Sequence, residues 1–204
     1  MKNQWLLLGL GLAALAVAGA GWLIASQPYA FHGSTIEPPM RVADFTLTSH
    51  AGTQFRLADQ TGKIVVLFFG YTSCPDFCPT TLMEFKKVRA RLVREAEHTQ
   101  FVFITVDPER DTPDKLRAYL NSFDPAFIGL TGTEAELAPV WRTFGVFREK
   151  KPGASALGYS MDHSTTVYVI DQRGNLRLTY SYGETADDMA QDVNYLVSEL
   201  HAAP

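Results

Sequence analysis

Six consecutive apolar residues, Ile64-Val65-Val66-Leu67-Phe68-Phe69, run into Gly70 and then into a turn that holds both cysteines of the chain. A stretch that is apolar at every position, without the alternation of a half-exposed strand, predicts a central strand covered on both faces. Such a strand needs helices above and below it, so the run commits the chain to a layered α/β fold. At 204 residues and 46% hydrophobic, the chain has material for one ordinary domain plus an appendage.

The pattern around that strand fills in the layers. Asp44 to Thr48 and Gln54 to Leu57 alternate apolar with polar residues on either side of Ala51-Gly52, which predicts an N-terminal hairpin. Beyond the cysteines, Leu82, Phe85, Val88, Leu92 and Val93 recur at helical spacing, and Thr81 with Glu84 matches a capping box. Phe101 to Val106 reads as a second buried strand, and Asp111-Thr112-Pro113 opens another helix with Pro at a permitted early position. Thr133 and Glu136 supply a further capping box for a helix through about Phe144. Thr165 to Ile170 and Leu176 to Tyr182, joined across Asp171 to Asn175, form an antiparallel hairpin, and a last helix starts near Thr185. Strand, cysteine turn, helix, strand, helix, hairpin and helix is the order of a thioredoxin-like α/β domain, expected over residues 42–204. The N-terminal hairpin and the helix near Thr133 are extensions of that core.

Residues 1–27 have a different character. Trp5 to Ala25 is an uncharged, mostly apolar run of 21 residues, long enough to cross a hydrocarbon core of roughly 30 Å as a single transmembrane helix. A cleaved secretory signal is the competing reading, since Ala18-Gly19-Ala20 offers small residues at a suitable spacing; the apolar core of such a signal usually spans about 7–15 residues. Lys2 on the short N-terminal side would leave the folded part outside the cytoplasm. No Arg-rich amphipathic segment precedes the run, which points to a bacterial inner membrane with the domain on the periplasmic side. Residues 28–41, with Pro28, Gly33, Pro38 and Pro39, read as an exposed linker. With Lys2 set aside from the 18 Lys and Arg, 17 remain against 22 Asp and Glu beyond the anchor, a balance that argues against a nucleic-acid partner.

Chemistry concentrates in Cys74-Pro75-Asp76-Phe77-Cys78, where a strand ends and a helix begins. Unpaired backbone N–H groups at a helix start favour thiolate over thiol. Two thiols four residues apart would staple little chain, yet they suit disulfide exchange or the grip of a soft metal. Copper(I) accepts thiolate and imidazole at low coordination number, so a histidine is the natural third ligand. His32 lies in the linker, His50 at a hairpin turn, His98 beyond a helix and His201 in the tail. His163 alone stands where a loop runs into a central strand, at the sheet end that faces the cysteine turn in a thioredoxin-like domain. Asp162 is a candidate support for that imidazole, Met161 a core residue with a thioether to offer. Closed zinc sites call for four ligands, one more than is evident. In Asp107-Pro108-Glu109-Arg110-Asp111-Thr112-Pro113, Pro108 ends a strand and Asp111 or Thr112 caps a helix, while Asp107, Glu109 and Arg110 are candidates for supporting the site or docking a partner.

Gly70-Tyr71-Thr72-Ser73-Cys74-Pro75-Asp76-Phe77-Cys78-Pro79, Val106-Asp107-Pro108-Glu109-Arg110-Asp111-Thr112-Pro113 and Asp162-His163-Ser164, behind an N-terminal anchor, together resemble the Sco/SenC family of copper proteins. The resemblance runs from about Pro38 to the C-terminus. It implies one copper ion, Cu+ or Cu2+, held by Cys74, Cys78 and His163. It also implies an upstream copper donor and a role in assembling the dinuclear copper centre of cytochrome c oxidase subunit II. A thiol–disulfide oxidoreductase acting on the cysteines of that subunit is the alternative, because copper and oxidation compete for the same thiolates. A peroxiredoxin-like peroxidase would want Thr three residues before the reactive cysteine, where this chain has Tyr71.

Overall fold

The structure, a computed structural model, describes residues 28–153 and 158–202. The expected transmembrane run, Trp5 to Ala25, lies outside the described residues, and among those described no helix is long and apolar enough to cross a membrane. The chain divides into a unit through Ala30 and a compact unit from Phe31 onward.

The central run forms β4 (Ile64–Gly70), buried at every position. It lies parallel to β5 (Thr99–Thr105), with Phe68 opposite Phe103 and Gly70 opposite Thr105, and β5 in turn lies parallel to β6 (Ile128–Thr131). On its other side β4 pairs antiparallel with β9 (Val167–Ile170), which turns back into β10 (Asn175–Tyr180). The expected N-terminal hairpin is β2 (Thr46–Ser49) with β3 (Gln54–Arg56); it extends the sheet beyond β6. Helix α1 (Phe77–Leu92) follows the cysteine turn, α2 (Pro113–Asn121) precedes β6, α3 (Glu134–Thr143) follows it, and α4 (Ala186–Ala202) closes the chain against α1.

Alternation along β4 assigns the layers. Phe68 meets Phe85 of α1 and Phe103, whose ring meets Tyr119 of α2, whereas Phe69 on the opposite face meets Phe144 at the end of α3. Both faces of the strand are thereby covered, which is why no polar residue interrupts it. The Thr133–Glu136 capping box forms as expected, and Thr112 caps α2 by accepting from the Lys115 amide.

Three local expectations are corrected. Residues 34–41, expected as linker, form β1 (Ser34–Arg41), which is almost wholly exposed yet pairs antiparallel with β10 as an edge strand. Pro38 and Pro39 fall where its register shifts, which an edge tolerates and a central strand would not. The Thr81–Glu84 capping box does not form, because the helix already starts at Phe77: Thr81 sits inside α1 and donates to the Phe77 carbonyl, and Glu84 accepts from the Ala186 amide. Val93, expected on the buried stripe of α1, stands 75% exposed at φ 50°, uncommon for a β-branched residue, where α1 gives way to a 3-10 segment over Val93–His98.

Where β1 begins, the fully buried carboxylate of Asp192 accepts from the amides of His32 and Gly33, the Tyr180 hydroxyl and the His32 ring. A Cβ on Gly33 would lie 2.6 Å from the Tyr180 ring, so only glycine lets the chain approach. Burial alone would raise the Asp192 carboxyl, but these donors outweigh it and hold it below the ordinary value. Its contribution to stability is therefore present above the ordinary carboxylate pKa and lost as the pH falls through the lower native value. Asp192→Asn is expected to remove this share of the acid sensitivity below about pH 4, read as a flatter dependence of urea midpoint on pH. Phe85, packed edge-on to Phe68 and beside Phe101 and Phe127, is expected to cost about 3–5 kcal/mol on truncation to Ala, measured by urea unfolding.

Candidate metal centre

The cysteine turn is held from below by one carboxylate. Asp111 accepts from the Thr72 amide at 3.1 Å, from the Thr72 hydroxyl at 2.6 Å and from the Thr105 hydroxyl at 2.7 Å, so the turn is tied to the end of β5. Asp111 is fully buried, and burial raises its carboxyl above the ordinary value in spite of these donors. Thr112 alone caps α2, so the capping role considered for Asp111 gives way to this tether. Gly70 makes a second constraint: a Cβ there would lie 2.8 Å from the Cys78 sulfur and 2.8 Å from Phe103, so the bare backbone is what admits the sulfur.

Cys74 in the turn is partly exposed, whereas Cys78 in the first turn of α1 is fully buried. Both thiols are free. The Cys78 amide points at the Cys74 sulfur at 3.4 Å, as an unpaired helix-start N–H should. The Cys78 thiol, against the opposing effect of burial, and then the His163 imidazole and the amides of Cys78 and Asp76, hold the Cys74 thiol down at about 4. Burial and the neighbouring Cys74 push Cys78 well above the ordinary value. The metal-free pair is therefore one thiolate beside one thiol.

His163 ends β8 (Tyr159–His163), which pairs with β7 (Arg148–Pro152) in a separate two-stranded sheet that the sequence pattern did not reveal. Its Nε2 lies 3.6 Å from the Cys78 sulfur, and its Nδ1 lies 2.7 Å from the Ser164 carbonyl. A carbonyl can only accept, so Nδ1 carries a proton, and Nε2 is the ring nitrogen turned towards the sulfurs. The imidazole is thus oriented by the Ser164 backbone; Asp162, the candidate support, is exposed, as a solvated turn carboxylate is. Tyr71 and Phe68 pack edge-on to the ring, with centroids 5.7 and 6.1 Å away. Met161 is buried in the core, as expected. His50 accepts the Gly129 amide and His32 pairs with Asp192, so both are structural.

Among the described residues, the ligand atoms of Cys74, Cys78 and His163 form one group, all within 4.8 Å of one another. A cavity of about 300 Å³, lined by Tyr71, Cys74, Phe77, Met161 and His163, opens onto it. A groove of about 390 Å³ between α1 and the loop after β10 is larger but is lined by neither cysteine nor histidine. Two sulfurs and an imidazole nitrogen, converging with room on one side, are a donor set for a soft, low-coordinate cation. The sequence singled out all three; it missed Asp111 as a tether and Tyr71 as a wall, although Gly70 directly before the turn was the signal of a close approach.

The SCO1/SenC family model matches residues 34–198. The chain belongs to the SCO1/SenC family. A SCO2-like protein of Rickettsia felis is 36% identical over 170 residues, which cover 80% of this chain and 83% of that protein. Among solved structures, Bradyrhizobium japonicum ScoI with copper bound is 36% identical, with a TM-score of 0.71 over 76% of this chain and 99% of that one. The apo Sco1 protein of Thermus thermophilus is 37% identical, with a TM-score of 0.68 over 85% and 97% of the two chains. The thioredoxin-like fold expected from the sequence is the fold this SCO1/SenC chain shares with them.

The cysteine asymmetry sets an expected outcome. In the metal-free SCO1/SenC chain, iodoacetamide is expected to modify Cys74 first, at a rate that stays level as the pH is lowered from about 8 and falls only near the pKa of about 4. Cys78 should react only under denaturing conditions, with both sites read by mass spectrometry of the digested protein.

Proposed function

We propose that this chain binds one copper ion through Cys74, Cys78 and His163 and delivers it to the dinuclear copper centre of cytochrome c oxidase subunit II. The observation that carries the reading is the convergence of two sulfurs and a correctly oriented imidazole nitrogen within 4.8 Å. It is supported by the copper held in the similar Bradyrhizobium ScoI. Copper in this reading is cargo, received from an upstream donor as Cu+ or Cu2+. The open cavity beside Cys74 leaves room for a partner's own donor atoms to compete for it. The apolar run Trp5 to Ala25 would tether the domain to a bacterial inner membrane, on the periplasmic side, close to an oxidase.

One observation favours a second reading. A partly exposed Cys74, its sulfur faced by the Cys78 amide at 3.4 Å, above a buried Cys78 is arranged for thiol–disulfide exchange. Cys74 would attack a disulfide of the partner subunit and release one partner thiolate, and Cys78, after losing its proton, would then displace the other. The products are a Cys74–Cys78 disulfide and a partner dithiol, with two electrons moved. Reduction of that kind would prepare the acceptor cysteines for copper but leave this pair oxidised, so the two readings are competing uses of one pair.

Competition titration of Cu(I) against a chelator on the full chain tests the first reading. Cys74→Ala or Cys78→Ala is expected to abolish stoichiometric binding, and His163→Ala to weaken it by about tenfold. Binding by the parent chain that is no tighter than in the cysteine variants would overturn the metal reading. Rapid exchange with an oxidised acceptor peptide, together with weak copper binding, would favour the reductase.

A further inference from the structure

The hairpin that carries His163 stands apart from the main sheet. Among the described residues β7 and β8 pair only with each other, so no backbone ladder sets the distance between the imidazole and the cysteine turn. At the start of β7, Arg148 donates to the Val106 carbonyl and to Glu134 and stacks on Trp141, and along β7 Lys150 pairs with Glu109. A more buried tie is at the base of β8, on the segment after β5. There Arg110 donates from Nε to Asp107 and from a terminal nitrogen to the Tyr159 carbonyl at 3.0 Å. Its guanidinium lies 3.6 Å from the centre of the Tyr159 ring, and the Tyr159 hydroxyl donates to the second oxygen of Asp107 at 2.7 Å. The same guanidinium sits 5.7 Å from the centre of the Tyr71 ring, which is the ring that packs edge-on to His163.

These contacts close a circuit. Asp107 is buried and the Arg110 side chain is 15% exposed, so the ion pair is shielded from solvent, unlike the exposed Lys150–Glu109 pair beside it. The fork of the guanidinium is used three ways at once: on a carboxylate, on a strand carbonyl and on an aromatic face. A lysine has no planar fork with which to do this. We propose that Asp107, Arg110 and Tyr159 form a clamp that positions His163 against Cys78, with Arg110 as its central positioning residue. Its effect on metal binding rests on the copper reading above; its effect on the ring does not.

Arg110→Lys keeps a cation beside Asp107 while removing the fork and the stack, and Tyr159→Leu removes the other half of the clamp without unpairing Asp107 from Arg110. In the metal-free full chain, nuclear Overhauser contacts between the His163 and Tyr71 rings are expected in the parent and lost in both variants. Contacts between Phe68 and Phe103, in the core, are expected to persist and so report an intact fold. Should Arg110→Lys fail to fold by that criterion, Tyr159→Leu decides. With Cu(I), each variant is expected to bind about tenfold more weakly than the parent, and to add no further loss in a His163→Ala background. Ring contacts that survive in the folded variants, or copper losses that add to that of His163→Ala, overturn the clamp. If His163→Ala leaves copper affinity unchanged, the ligand role of His163 fails, and the metal-free ring contacts alone decide the clamp.

Discussion

The buried carboxylate of Asp111 governs where β4 ends and how the chain leaves it. Gly70 and Thr105 lie opposite one another at the ends of two parallel strands, and beyond that point the chains must part. Asp111 accepts both polar hydrogens of Thr72 and the hydroxyl of Thr105, so the chain leaving β4 stays fastened to the end of β5 through Thr72. Cys74 then emerges at the rim while Cys78 is drawn under it into the first turn of α1. An unpaired carboxylate at such depth would be costly, and its three donors offset that cost. The site is thus an extension of the core, and its cysteine spacing is fixed by packing before any metal arrives.

That fastening also explains the division of labour between the sulfurs. Cys78 faces Gly70 and Phe103, where no water can solvate a thiolate, and so keeps its proton in the absence of metal. Cys74, half in solvent and facing an amide, a thiol and an imidazole, loses its proton instead. A soft cation supplies the positive charge that burial denies to Cys78, so metal and proton compete for that sulfur. Oxidation to a disulfide removes both sulfurs from the same competition. A site for metal and a site for redox exchange therefore demand the same geometry.

Most of the main sheet was legible because its signals are local. β4 announces itself by an unbroken apolar run, α3 by its Thr133–Glu136 box, and β9–β10 by two strand-like runs joined across Asp171 to Asn175. What was not legible depends on distant partners. β1 has no apolar face to display, since it is an edge strand bound to β10 by its backbone. α1 takes its start from the turn geometry at Asp76, which overrode the Thr81–Glu84 pattern. The β7–β8 hairpin is mostly charged or polar, and its partners are distant in sequence: Arg110 on the segment after β5 reaches its Tyr159, and its own Arg148 reaches Val106. In the site, the two cysteines were readable from their turn alone, whereas His163 needed the fold to bring it within reach.

The three donors differ in how firmly the protein holds them, and the difference gives the site a direction. Cys78 is fixed by the core, and the Nε2 of His163 is aimed by a backbone carbonyl and walled by Tyr71 and Phe68. Cys74 alone of the two sulfurs borders the open cavity and is partly solvated. Replacing a ligand on a bound cation requires an incoming donor to approach as an old one leaves. At Cys78 that would mean opening the packing of α1 on β4, while at Cys74 it means displacing only solvent. Under either proposed function, exchange with a partner should therefore begin at Cys74: as the first sulfur to release copper, or as the first to attack a disulfide. The depth of burial of two sulfurs four residues apart is enough to order those steps.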